Sequence, residues 1–151
     1  MNETSPNILV VEARFYEELA DEMGRGAEAA LSASGARFER LAVPGAFEIP
    51  GAIAHAARAG GAGGFDGYVA LGCVIRGETT HYDYVCQESA RGLMDLSVRD
   101  GLAIGYGILT CENRDQAWAR AAQDQGDKGR AAVEACLRMV ALRRRFAVQS
   151  S

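Results

Sequence analysis

The segment from Leu71 to Asp83 combines glycines, hydroxyl side chains and a histidine in an order suited to binding a phosphate group. Gly72 and Gly77 have the spacing of a nucleotide-binding P-loop, but Glu78 stands where such a loop carries its lysine. A carboxylate there would repel a triphosphate, so the pattern disfavours a nucleoside triphosphatase. A glycine-rich loop that leads into a helix remains well suited to hold a single phosphate.

His81 follows this loop, in the first turn of a predicted helix. The positive end of the helix dipole disfavours an imidazolium there, so we expect a neutral ring that can accept a proton. His55, the other histidine of the chain, lies within a helical pattern and is interpreted as a surface or packing residue. A lone histidine is more often structural, but a position beside a phosphate-type loop favours a catalytic role for His81.

Aromatic residues and a rigid turn follow other predicted strands. Phe15 and Tyr106 could each stack on a planar heterocycle, although for Phe15 a place in the core or at a helix entry is the commoner alternative. The turn at Pro44-Gly45 leads into a helix N-terminus, where free backbone N–H groups could bind a pyrimidine edge or a polyol. Glu48 could accept hydrogen bonds from hydroxyls or simply favour the helix dipole.

Alternating strand and helix patterns must position these residues. Predicted strands span residues 7–11, 37–43, 67–71 and 102–109; predicted helices span residues 16–34, 48–59, 80–99, 113–123 and 128–146. Strands separated by helices indicate right-handed crossovers and a parallel sheet that is covered on both faces. The sequence therefore predicts an α/β fold of flavodoxin-like type, a three-layer α/β/α sandwich with a mostly parallel four-stranded sheet. We expect one domain over residues 1–151, with frayed ends at 1–5 and 148–151.

Local signals refine the predicted helices. Gly35 is expected to end the first long helix, and Asn113 with Gln116 resembles a capping arrangement that opens a later one. The last helix should turn a row of residues towards the core: Val133, Cys136, Leu137, Val140 and Leu142. In sheets of this kind the ligand crevice lies beyond the carboxyl ends of the strands, where the candidate residues are found.

Composition excludes several classes of protein. With 16 Lys+Arg against 20 Asp+Glu, the net charge of −4 argues against a nucleic-acid binder. No apolar stretch reaches the length of about 20 residues that crosses a bilayer, and the polar N-terminus lacks an export signal core. The four cysteines have neither disulfide-type nor metal-binding spacing. We therefore expect a cytoplasmic protein without disulfides, metal, or membrane and nucleic-acid partners.

Several contiguous stretches of the chain resemble the lumazine synthase family. Val-Pro-Gly-Ala-Phe-Glu-Ile-Pro occupies residues 43–50, and Leu-Gly-Cys-Val-Ile-Arg-Gly-Glu-Thr-Thr-His-Tyr-Asp-Tyr-Val occupies residues 71–85. The resemblance continues through residues 107–113, 118–120 and 126–129, and so covers nearly the whole chain. It implies a condensation of 5-amino-6-ribitylamino-uracil with 3,4-dihydroxy-2-butanone 4-phosphate, without a metal or an organic cofactor, as a step in riboflavin biosynthesis.

The resemblance implies a role for each matching residue. Phe15 would stack on the pyrimidine. The ring and the ribityl chain would be held by Ala46, Phe47 and Glu48, and backbone contacts would come from Cys73, Val74 and Ile75. Phosphate would be bound by Glu78 and Thr79, and His81 would transfer protons. An adjacent subunit would supply Tyr106 to close the pocket, Arg120 to bind phosphate and Lys128 to assist catalysis; taken alone, Arg120 and Lys128 would be read as solvated charges.

The same resemblance implies a homo-oligomer, a pentamer or a multiple of pentamers, with riboflavin synthase as a candidate partner protein. Some positions depart from the common family pattern. Tyr16 replaces a frequent Asn, and Tyr106 stands where Phe is common. A non-catalytic paralogue of the same fold, which binds flavin or lumazine or forms a shell, is the alternative interpretation. A general nucleotide-binding module is disfavoured because no G-x-G-x-x-G follows the first strand.

Overall fold

The computed structural model of the chain describes residues 4–60 and 64–150, with side chains up to residue 147. Strands and helices alternate along the chain as predicted. The strands are β1 (Asn7–Ala13), β2 (Arg37–Val43), β3 (Gly67–Ile75) and β4 (Ile104–Cys111). The α-helices are α1 (Glu17–Ser34), α2 (Ile49–Ala59), α3 (His81–Arg99), α4 (Arg114–Ala121) and α5 (Lys128–Ser150). A short 3-10 helix, Ala46–Glu48, precedes α2.

The four strands form one parallel sheet in the order β2-β1-β3-β4. Successive side chains of a strand point to opposite faces, so β1 contributes to a separate core on each side of the sheet. Ile8 and Val10 pack with α1, α4 and α5, whereas Leu9 and Val11 pack with α2 and α3. The predicted three-layer α/β/α sandwich of flavodoxin-like type is confirmed.

The strand ends differ from the predicted ones. β1 continues through Glu12 to Ala13, and β3 continues to Ile75 rather than stopping at Leu71. Hydrogen-bonded partners explain both extensions, because Ala13 pairs with Val43 of β2 and β3 remains paired with β4 to its last residue. Strand length is thus decided by the neighbouring strands as well as by local apolar pattern.

The predicted helix signals are largely confirmed. Gly35 adopts a left-handed conformation, φ 77°, directly after α1. Asn113 caps α4, since its side chain accepts a hydrogen bond of 2.9 Å from the backbone N–H of Gln116. α4 nevertheless ends at Ala121 rather than at Gln123, because the backbone of Ala122 is extended and its side chain is buried.

For the last helix, the predicted inward position is confirmed for four of the five residues. Val133, Cys136 and Val140 are buried, and Leu137 is partly buried against the same cluster. Leu142 is 41% exposed, so its predicted inward position is wrong. Two residues beyond Val140 the helix has turned by about 200°, which carries Leu142 to the outer face.

The predicted fraying of the ends falls partly outside the described residues, at 1–3 and 151. Helix α5 itself continues in its backbone to Ser150. Within the described ranges, no helix is both long enough and apolar enough to span a bilayer.

Candidate active site

A cleft of about 530 Å³ opens beyond the carboxyl ends of β1 and β3. The chain leaves β1 towards β2 and then crosses back to β3, so this position is the switch point at which ligands bind in open parallel sheets. The volume lies in the usual range for small-molecule sites. Many of the predicted site residues line this cleft: Phe15, Ala46, Phe47, Glu48, Cys73, Val74, Ile75, Thr79 and His81.

Two phenyl rings are exposed at this cleft. Phe15, in the turn between β1 and α1, is 75% exposed, and Phe47 is 58% exposed. The core alternative for Phe15 is therefore excluded. Its ring and that of Tyr16 pack edge to face, with 4.9 Å between centroids and an interplanar angle of 83°. Exposed aromatic faces at a concave site are suited to stack on a planar ring.

The turn after β2 presents Phe47 and Glu48 because its other residues are anchored. Ala46 and Ile49 are buried, which fixes the short helical turn against the core beside β1. The Glu48 N–H donates to the Gly45 carbonyl at 3.1 Å and closes the turn. The exposed Glu48 carboxylate lies at the cleft as a hydrogen-bond acceptor for a polar ligand.

The last residues of β3 form one wall of the cleft. Cys73, Val74 and Ile75 are partly buried, and their place on a strand gives this wall a rigid backbone. Burial, with a smaller contribution from neighbouring Cys111, raises the pKa of the Cys73 thiol to about 12. The thiol therefore stays protonated near neutral pH, which argues against Cys73 as a nucleophile.

The predicted phosphate loop lies between β3 and α3. Helix α3 begins at His81, whose N–H lies 3.3 Å from the Thr79 hydroxyl oxygen that accepts from it. The N-terminal N–H groups of a long helix favour an anion at this end. Gly77, Thr79 and His81 line the cleft, whereas Glu78, in the same loop, is not among the lining residues. The predicted first-turn position of His81 is confirmed.

Three predicted residues lie outside the cleft of their own chain. Tyr106 is on the edge strand β4 and 46% exposed. Arg120 is exposed on α4, and its Nη1 donates to the Gln116 carbonyl of the same helix at 2.9 Å. Lys128 is exposed at the first residue of α5. A single chain does not bring these side chains into the cleft.

Helix α3 also contributes two lining residues that sequence reasoning missed, Tyr82 and Val85. Val85 lies four residues after His81, so helical periodicity placed it on the same face. Tyr82 has no such signal. Its ring contacts Arg76, whose guanidinium carbon lies 4.3 Å from the centre of the Tyr82 ring.

Comparison with known proteins identifies the family. A family model described as 6,7-dimethyl-8-ribityllumazine synthase matches residues 5–144. A protein of Rhizobium meliloti named 6,7-dimethyl-8-ribityllumazine synthase 1 is 55% identical over 145 residues, 95% of each chain. Proteins named 6,7-dimethyl-8-ribityllumazine synthase from Bartonella tribocorum and Agrobacterium fabrum are 55% and 51% identical, over 93% and 95% of this chain and 92% and 98% of theirs. The chain belongs to the 6,7-dimethyl-8-ribityllumazine synthase family.

Proposed function

We propose that this protein condenses 5-amino-6-(D-ribitylamino)uracil with 3,4-dihydroxy-2-butanone 4-phosphate to form 6,7-dimethyl-8-ribityllumazine, a transferase step in riboflavin biosynthesis. The main support is one cleft that combines exposed aromatic rings, a carboxylate acceptor, a phosphate-type loop and a histidine. Each of these features matches one part of the two substrates. A pocket that only bound riboflavin or a lumazine, neither of which carries a phosphate, would have no need of the phosphate loop or of His81.

The pyrimidine and the phosphate occupy opposite sides of the cleft in this proposal. Phe15 stacks on the pyrimidine ring, and Glu48 accepts hydrogen bonds from the ribityl hydroxyls. The phosphate sits at the N-terminus of α3, where backbone N–H groups of the loop at Glu78 and Thr79 and the Thr79 hydroxyl bind it. This arrangement brings the amine of one substrate to the carbonyl of the other, and such positioning alone can contribute several kcal/mol, up to about 7–11.

The reaction then needs a group that accepts and returns protons near neutral pH. The amine attacks the ketone, and water leaves as the imine forms. A proton leaves carbon while the phosphate departs, and ring closure releases a second water. His81, the first residue of α3, lines the cleft next to the phosphate loop and serves as the proton acceptor in these steps.

The direct test mixes the purified, metal-stripped protein with both substrates and follows lumazine fluorescence and phosphate release. We expect product above the spontaneous rate without added cofactor. His81→Ala should lower kcat by about 10²-fold, the low end for a lost general base, because substrate positioning survives. His55→Ala, which changes the exposed histidine of α2, is the matched control and should keep the wild-type rate. Background rate alone from folded wild-type protein would favour the non-catalytic flavin-binding alternative.

We further propose that a neighbouring subunit completes each site, in a pentamer or a multiple of pentamers. Among the described residues that line the cleft there is no lysine or arginine, although a phosphate dianion calls for a cation. Arg120 and Lys128 are exposed elsewhere on the chain, as is Tyr106 on its edge strand. A head-to-tail ring would bring these residues of one subunit to the cleft of the next.

Mixed oligomers test this arrangement. Arg120→Ala and His81→Ala chains, each nearly inactive alone, are dissociated, mixed in equal amounts and reassembled. Random mixing should restore about a quarter of the wild-type sites, since an intact site needs a cleft from one variant and a neighbour from the other. Activity no higher than the mean of the two parents would place Arg120 in the cleft of its own chain. Sedimentation analysis of the same samples reports the number of subunits.

The cellular setting is part of the proposal. We place the protein in the cytoplasm, acting as a single domain over residues 1–151, with riboflavin synthase as its partner protein. All four cysteines are free thiols, and free thiols are typical of proteins in a reducing compartment.

A further inference from the structure

Arg76 joins three parts of the molecule next to the proposed phosphate loop. Its backbone N–H donates to the Cys111 carbonyl at 2.9 Å and extends the β3–β4 ladder by one residue. Its Nε donates to Glu112 at 2.6 Å, and its Nη1 lies 3.4 Å from Asp83 in the first turn of α3. The guanidinium also lies over the ring of Tyr82. One side chain thus links the start of the loop, the end of the loop and the residue that follows β4.

The loop itself has few other attachments. Among the described residues, no hydrogen bond or ion pair is made by Gly77 or Glu78. Thr80 makes no side-chain cap bond to α3, and the contact between the Thr79 hydroxyl and the His81 N–H is internal to the segment. Its position relative to the sheet is therefore set at its two ends, and Arg76 connects those ends directly.

Arg76 does not line the cleft, whereas Ile75, Gly77 and Tyr82 around it do. Its effect on a bound substrate must therefore pass through the loop and the first turn of α3. We propose that Arg76 is a positioning residue that holds the phosphate loop and His81 in register for the phosphate-bearing substrate. This inference rests on the proposed function.

The same contacts contribute little to overall stability. Arg76, Asp83 and Glu112 have side chains that are 41%, 57% and 55% exposed, and ion pairs so exposed are weak. Helix α3 is held independently by its buried residues Val85, Leu93 and Leu96. Loss of the Arg76 side chain should therefore displace the loop without unfolding the protein.

The test compares Arg76→Met and Arg76→Lys with the wild-type enzyme, measuring KM for each substrate and the thermal midpoint. We expect both variants to raise KM for the butanone phosphate by about tenfold or more, since small misplacements remote from the chemistry have large effects. KM for the ribitylaminouracil, held on the other side of the cleft, should change less than about twofold. Lysine should not restore binding, because it lacks the planar fork and stacks less well.

Arg91→Met is the matched control, because Arg91 pairs with Glu88 and Asp95 on the same helix but has no link to the loop. It should leave both KM values unchanged. The inference is overturned if Arg76→Met raises both KM values and lowers the thermal midpoint, or if it changes neither KM value. It is also overturned if Arg76→Lys behaves as wild type, because the effect would then be one of charge alone. An inactive wild-type protein would instead reject the proposed function.

Discussion

Gly105→Ala should strongly destabilise the native fold. A Cβ at this position of β4 would lie 1.9 Å from the Ala132 carbonyl oxygen and 2.8 Å from the carbonyl carbon of the same residue. These atoms belong to the backbone of α5, so relief requires moving a whole helix away from the sheet. Overpacking in a core costs typically about 1–3 kcal/mol, and a backbone clash of this size should exceed about 4 kcal/mol. That is a large part of the stability of a typical domain.

Urea unfolding followed by circular dichroism measures this effect. The matched control is Gly51→Ala in helix α2, where nothing lies within 4 Å of the new Cβ. There the substitution should be neutral or stabilise the protein by up to about 1 kcal/mol, through higher helix propensity. A Gly105→Ala variant with a wild-type urea midpoint would show that β4 and α5 are not as closely packed as described.

Glu12→Gln should lower the free energy of unfolding by about 3 kcal/mol. Residue Glu12 is only 4% exposed, and its carboxylate accepts from Arg40 Nε at 2.6 Å and Nη2 at 2.7 Å. Arg14 lies 3.2 Å from the same carboxylate. Removing one partner of a buried ion pair leaves the other charge uncompensated.

Loss of a proton from Arg14 or Arg40 would not reduce this loss of stability, because both guanidinium groups stay charged. The hydrogen bond to Glu12 raises the pKa of Arg40 above its already high ordinary value, so the guanidinium is charged with or without its partner. The expected loss is at the low end for a buried pair because Arg14 and Arg40 are about 30% exposed and contact second carboxylates, Asp21 and Glu28.

The free energy is obtained from urea unfolding, with Glu134→Gln as the control. Glu134 pairs with Arg130 at 3.4 Å on the surface of α5, where both side chains are 58% exposed. Its substitution should cost less than about 1 kcal/mol. Equally small losses in the free energy of unfolding for Glu12→Gln and Glu134→Gln would contradict a structural role for the ion pairs of Glu12 with Arg14 and Arg40.

The extent of β1 around Glu12 could not be predicted from the local sequence. The predicted first strand covers only the apolar run at residues 7–11. In the structure β1 continues to Ala13, and Arg40 from the neighbouring β2 compensates the buried charge. The partner is 28 residues away along the chain, so no local pattern could identify it.

The sequence by itself determined the order of strands and helices, the bounds of β2, the cap residues Gly35 and Asn113, and the position of His81 at the start of α3. These features depend on periodicity and on backbone preferences of a few adjacent residues, which are local properties. The motifs between residues 43 and 85 also carried the family resemblance that the comparisons confirm.

Only the tertiary structure decided which of these residues meet. It brought Phe15, Phe47 and His81 from three separate segments of the chain to one cleft, and it left Tyr106, Arg120 and Lys128 outside that cleft in their own chain. It also exposed the Phe15 ring and linked Arg76, at the start of the loop between β3 and α3, to Glu112, which follows β4. The physical reason is that the exposure and the contacts of a side chain depend on how distant segments pack against each other. No single stretch of sequence specifies the order of the strands in the sheet.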